Sequence, residues 1–331
     1  MSPLSIRARK QSDYMTRHGL GCWRRNWMLS DRFRARNENS RKVFLVTFLP
    51  PTIWLIFFLL APVLIIVVYS FSQKVGLINI EVNWVMDNYW RAADPLYLKI
   101  FAKSFYIAGI TTFLCLVISF PVALAITKVR QNWKLIILVL LMLPFWINLL
   151  IRTYALIAVL RTRGFLNSGF EWIAAHLGLR FEPVQFLYND TAIIIGLVYI
   201  HLPFMILPIY AGLEGFDETL KQAAKDLGSS SMQVYRHIVF PLIRPSVFAG
   251  CMLVFIPALG SYLTPELLGG TDGQLIANVI ERQFKHANDW PFGAALSMVL
   301  IYLTCGVITV WLLVAKRKKS RSKKGKTIVV W

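Results

Sequence analysis

The chain has 331 residues, 56% of them hydrophobic and only 16% charged, against roughly 25% charged in ordinary soluble domains. Its net charge of +19 invites a nucleic-acid reading, but residues 1–42 hold 11 Lys or Arg against 3 acids, and residues 316–331 hold 8 against none. Those two tails account for +16, leaving a nearly balanced middle. That placement argues against nucleic acid as a partner and fits basic ends flanking membrane spans.

Cys22, Cys115, Cys251 and Cys305 have no paired spacing, so neither a zinc site nor a disulfide framework is expected. The first apolar run follows 42 polar and basic residues without a small-residue cleavage pattern, so it reads as a retained helix and not a signal peptide.

That first run is free of charge from Val43 to Phe71, with Pro50-Pro51 expected at its entrance and Pro62 expected to kink it. A second span is expected over 104–127, followed by the basic loop 128–134, then a third over about 135–160 interrupted by Arg152. A charge there is costly in lipid, so Arg152 is expected to face a cavity, another subunit or the outer interface. Residues 191–213 form a fourth span with His201, Pro203 and Pro208; 247 to about 263 form a fifth with Pro257; 292–315 form a sixth.

Each run is long enough, or nearly so, to cross a hydrocarbon layer about 30 Å thick. The result is an all-α polytopic membrane protein with both ends cytoplasmic. It divides into a basic tail (1–42), a first helix and external loop (43–103), a five-helix core (104–315) and a second basic tail (316–331). The basic tails are also expected to attract anionic lipid headgroups. The segments 72–103, 161–190 and 264–291 total minus one and are placed outside.

The cytoplasmic stretch 214–244 is the most informative. Leu220, Ala223, Ala224 and Leu227 share one helical face, Gly228 releases the chain, and the serines 229–231 cap a second helix bearing Tyr235, Ile238 and Val239. From periodicity alone this helix lies either on lipid headgroups or on a protein partner.

Gln222, Ala223, Ala224, Gly228, Ile238 and Pro241 together resemble the cytoplasmic signature loop of permeases of binding-protein-dependent ATP-binding-cassette importers. Gln222 stands where that family commonly has Glu, and Phe240 where it has Leu. The segments LIRTYA (150–155), HLPFMILPIYAGLE (201–214) and FIPALGSYLTPELLGG (255–270) resemble the polyamine-importer permeases, those of the putrescine system above all.

The resemblance implies the type I importer permease fold in the bacterial inner membrane. It also implies a second homologous permease, two cytoplasmic nucleotide-binding ATPase subunits and a periplasmic solute-binding protein as partners. The loop would dock on the ATPase, which would use ATP and magnesium, while this chain would be non-catalytic and hold no cofactor or metal. No GxxxxGK[ST] phosphate-binding run is present.

Arg152, His201, Ser261, Tyr262 and Glu266 are the polar candidates for the pathway or its gate. Ser261 stands where relatives carry an acid. His201 reads equally as a packing residue, and Glu266 as a turn stabiliser. A permease for another small solute such as an amino acid, a secondary transporter and a non-transport scaffold are the other readings.

Overall fold

The computed structural model describes residues 43–44, 46–76, 79–178, 180–270 and 273–324, so the N-terminal basic tail and the last seven residues lie outside the described residues. The chain divides into two units, Met1–Ile65 and Ile66–Trp331. The first contributes most of helix α1 (Val46–Ser70), which begins one turn before Pro50 and is lined by ring pairs such as Trp54 on Phe58, centroids 4.5 Å apart.

In the second unit, a hairpin of β1 (Gln73–Val75) and β2 (Asn79–Glu81) pairs antiparallel with Gln73 opposite Glu81. It precedes α2 (Asp87–Ala92) and α3 (Pro95–Lys128). Asp94 caps α3, accepting from the Leu96 N–H at 2.9 Å, and Pro95 fits the first turn because its missing donor has no intrahelical partner there. The core is made where α3 meets α7 (Asp190–Glu214) and α10 (Phe240–Leu259), through Cys115, Ala123, Met205, Ile209, Val247 and Val254.

Lipid tails are as apolar as these side chains, so close backbone approach has to supply much of the attraction. Gly212 and Gly250 provide it between α7 and α10. A Cβ on Gly212 would come within 2.4 Å of Ser246 Oγ, and one on Gly250 within 2.8 Å of Met205 Sδ.

The third span departs from expectation. Residues 135–160 form two helices, α4 (Gln131–Met142) and α5 (Leu149–Leu160), joined through a 3₁₀ turn over Leu143–Trp146 and bent by 94°. Pro144 lies in that turn, and Asn148 restarts the chain by accepting from the Leu150 N–H at 2.8 Å.

The fifth span also differs. It runs unbroken from Ser231 to Leu259, the short helix α9 (Ser231–Val234) passing into α10 through a π-helical turn at Tyr235–Val239. That wider turn directly precedes Pro241, and a local change of helical pitch is one way a helix accommodates a proline. The span stops at Gly260 rather than Leu263. α11 (Leu263–Leu268) and α12 (Ile276–Lys285) follow as separate short helices before α13 (Trp290–Lys324).

Among the described residues, five helices are long and apolar enough to cross a membrane, and six crossings result if the bent pair counts as one span. The segments between them pack on each other. α6 (Phe165–His176) is anchored by buried Asn167, which bonds both the N–H and the carbonyl of Val184. Arg91 pairs with Asp289 at 2.8 Å and lies 3.8 Å over the Phe292 ring.

Candidate functional site: a cytoplasmic docking helix and a break in the third span

The 214–244 segment folds as two capped helical pieces. α8 (Glu218–Asp226) starts at Asp217, which accepts from the Thr219 N–H at 2.9 Å. Bonds from the Thr219 backbone and side chain hold the Asp217 carboxyl below its ordinary range.

Gly228 ends the helix with φ +82°, placing the Ser229 N–H 3.0 Å from the Ala224 carbonyl. A Cβ there would meet nothing within 4 Å, so the demand on Gly228 is conformational and not one of close approach. Ser230 and Gln233 then form a reciprocal capping box.

The helical face expected from sequence is divided between two surroundings. Ala224 is buried within this chain, packed in the cluster that includes Val234 and Val239, and Ile238 rests half-buried against the same cluster. Gln222 and Ala223 point outward with Leu220, while Leu227 and Met232 are 88% and 76% exposed. Pro241 is half-buried just after the π-helical turn. The outward surface is a small apolar rim on a helix whose inner face is already occupied. Lys134, in the first turn of α4, bonds Glu214, the last residue of α7, at 2.7 Å and so ties the third span to the root of this loop.

Arg152 and His201 come together on α5 and α7. Both are buried; His201 Nδ1 is 2.9 Å from the Leu197 carbonyl, and the Arg152 guanidinium lies 5.8 Å from the Phe145 ring. Phe145 meets Phe204 edge-on at 5.2 Å, and Phe204 lies 6.4 Å from His201. The break between α4 and α5 is therefore closed by a ring cluster with a guanidinium at its edge.

Ser261, Tyr262 and Glu266 belong to a different group. Glu266 accepts from Asn278 Nδ2 at 2.7 Å and from Arg282 at 3.0 Å, and Asn278 also reaches the Tyr262 carbonyl at 2.7 Å. Partial burial raises the Glu266 pKa, but the bonds from Arg282 and Asn278 and the charges of Arg282 and His286 outweigh it, so the carboxyl sits below its ordinary value.

The Tyr262 ring faces the Lys285 ammonium at 5.6 Å, and Lys285 is raised by its bond to Glu281. Ser261 is half-buried, with its N–H 3.3 Å from the Ala258 carbonyl. Glu266 thus ties α11 to α12, whatever else it does. Among the described residues no group of three or more His, Cys, Asp and Glu side chains converges as a metal site.

Sequence reasoning missed the Pro144 break, the Lys134–Glu214 tie and the Asn278–Arg282 partners of Glu266. Pro144 was the available signal for the first, with Asn148 four residues on able to restart a helix. The other two pairs are 80 and 16 residues apart and leave no periodic mark.

Known proteins are similar to this chain in sequence and in fold. The spermidine/putrescine transport system permease protein PotB of Salmonella typhimurium (strain SL1344) is 42% identical over 247 residues, 75% of this chain and 85% of that one. PotB of Haemophilus influenzae is 38% identical over 258 residues, 78% of this chain and 89% of its own.

Among solved structures, a bacterial ABC transporter involved in the import of the acidic polysaccharide alginate matches with a TM-score of 0.69 at 16% identity, covering 86% of this chain and 99% of that one, which establishes a shared fold. Residues 28–321 match the family described as binding-protein-dependent transport system inner membrane component. With five apolar helices plus a bent pair, a family match over residues 28–321 and relatives aligned over three quarters of its length, the chain belongs to that family of multi-pass inner membrane transport components.

Proposed function

We propose that this chain is one of two permease subunits of an importer for putrescine, spermidine or a related polyamine, and that it moves solute by alternating access driven by partner ATPases. The 42% identity over 247 residues to a spermidine/putrescine permease carries the solute assignment. The outward rim of α8 supports the docking assignment. Gln222, Ala223 and Leu227 face a nucleotide-binding subunit that hydrolyses ATP with magnesium, while Ala224, Gly228, Ile238 and Pro241 shape the loop from within. The basic ends support a cytoplasmic position for both tails, beside anionic lipid. A periplasmic binding protein delivers solute to the opposite face.

Closure of the ATPases pushes on α8, and rigid-body movement follows at the outer gate. Tyr262 and Glu266 form part of that gate and meet solute only when Lys285 and Arg282 give way, since both positions are already satisfied by internal cations. Arg152 and His201 mark the level at which the third span breaks.

Purification of the tagged chain from membranes in mild detergent tests this reading. The expected preparation contains a second permease and an ATPase, and its ATP hydrolysis rises when the solute-loaded binding protein is added. A chain that purifies without an ATPase under conditions that keep a known importer intact would contradict it.

A further inference from the structure

Arg152 is a buried cation without an anion. It is 8% exposed, its Nε is buried with no acceptor, no carboxylate pairs with it among the described residues, and its guanidinium lies 5.8 Å from the Phe145 ring. Its depth follows from the register of α5 against α7. Leu156 Cδ1 lies 3.9 Å from where a Cβ on Gly196 would be, and Phe145 packs on Phe204. Arg152 falls between these contacts, within Coulombic reach of His201. His201 is twelfth of the 25 residues of α7, about 17 Å from one end and about 20 Å from the other at 1.5 Å per residue.

The group is therefore near the middle of a hydrocarbon layer about 30 Å thick, where an unpaired charge is costly. Lipid phosphates lie about 15 Å away at the surface. A polyamine carries the same sign and cannot pair with it. The acids of this chain nearest in sequence to the spans are spoken for or at helix ends: Asp190 and Glu214 terminate α7, paired with Lys103 and Lys134, and Glu266 is held by Arg282. Of the surroundings expected for Arg152, another subunit is the one that can bring a protein carboxylate to this depth.

We propose that Arg152 receives an Asp or Glu carboxylate from a span of the second permease, in a charge pair that forms across the subunit interface on assembly. A guanidinium presents a rigid planar fork to a carboxylate, so the pair fixes the rotational setting of the two permeases as well as their contact. The proposal rests on the paired-permease reading above.

The test uses the full chain, tagged, expressed alone and with its partner subunits, with two readouts: thermal midpoint in mild detergent and recovery of the second permease. Arg152→Met removes the charge and keeps the length of the side chain. The isolated variant should melt at or above the parent, because a costly charge has left the span, while recovery of the second permease falls at least tenfold. Arg152→Lys, a point charge without the fork, should lie between.

An Arg152→Glu variant should regain pairing when one intramembrane acid of the second permease is changed to Lys or Arg. Parent-level recovery of the second permease by Arg152→Met would overturn the proposal. So would an isolated variant that melts lower than the parent by as much as the complex does, which marks an internal packing role. If the unaltered chain recovers an ATPase but no second permease, the paired-permease reading falls and this proposal falls with it.

Discussion

Lys134 and Glu214 meet at 2.7 Å and join the first turn of α4 to the last residue of α7, directly before α8. α4 leads into the break at Leu143–Trp146 and then to Arg152, so under the proposed coupling the pair would link the root of α8 to the third span.

Replacing Glu214 with Gln is expected to lower solute uptake per ATP hydrolysed by up to about fivefold, the kinetic equivalent of an ion pair worth up to about 1 kcal/mol. The exchange Lys134→Glu with Glu214→Lys should recover most of the loss. Uptake and hydrolysis measured in the same proteoliposomes decide the matter, and equal ratios in all three proteins would rule the pair out of coupling.

Ala223 and Ala224 are neighbours with opposite surroundings, and large residues at the two positions should fail differently. Ala224→Leu overpacks the chain's own cluster and is expected to cost about 1–3 kcal/mol, visible as a lower melting temperature of the isolated chain. Ala223→Trp should leave that temperature unchanged and abolish stimulated ATP hydrolysis by blocking the partner. Matching effects of the two substitutions on melting would show that the faces of α8 are wrongly assigned.

Gly228→Ala forces a Cβ into φ +82° although there is open space around it. The expected cost is about 1–2 kcal/mol, with Gly228→Asn milder because Asn tolerates the left-handed region. Protease cleavage between α8 and α9, timed against the parent, reports the loosened cap. Unchanged cleavage in the alanine variant would mean that the turn relaxes without loss.

The Glu266 carboxyl is held below its ordinary value of 4.5 by Arg282 and Asn278 against the opposing effect of burial. A depressed folded pKa contributes stability that is present above the unfolded value and lost as pH falls through the folded one. The junction of α11 and α12 should therefore loosen below about pH 4.5, and Glu266→Gln should remove that part of the pH dependence. Hydrogen exchange over residues 263–285 across pH 3 to 6 is the check. A parent and variant with the same profile would remove Glu266 from the junction.

The apolar runs were legible because hydropathy over about 20 residues is insensitive to where a helix bends; five are spanning helices and the third is a bent pair. For the same reason hydropathy passed over the 94° break at Pro144, and it began the fifth span at 247 whereas the helix runs on from Ser231 through a π-helical turn at Tyr235–Val239. The two helices of the 214–244 segment were legible through Gly228 and the serines 229–231, which are local signals, while the Asp217 cap was not singled out. Which of Ala223 and Ala224 faces outward was not, because adjacent small residues satisfy the same periodicity, and only the placement of Val234 and Val239 decides it. Glu266 reads from the sequence either as a pathway candidate or as a turn stabiliser, because nothing in a linear pattern places Arg282 beside it.

Uptake by the full assembly, reconstituted with its own binding protein and ATP, tests the central claim most directly when putrescine, spermidine, an amino acid and an anion are compared in one preparation. Saturable, ATP-dependent uptake of putrescine or spermidine, with no uptake of the amino acid or the anion, is the expected result. Import of one of the other solutes while neither polyamine moves would contradict it.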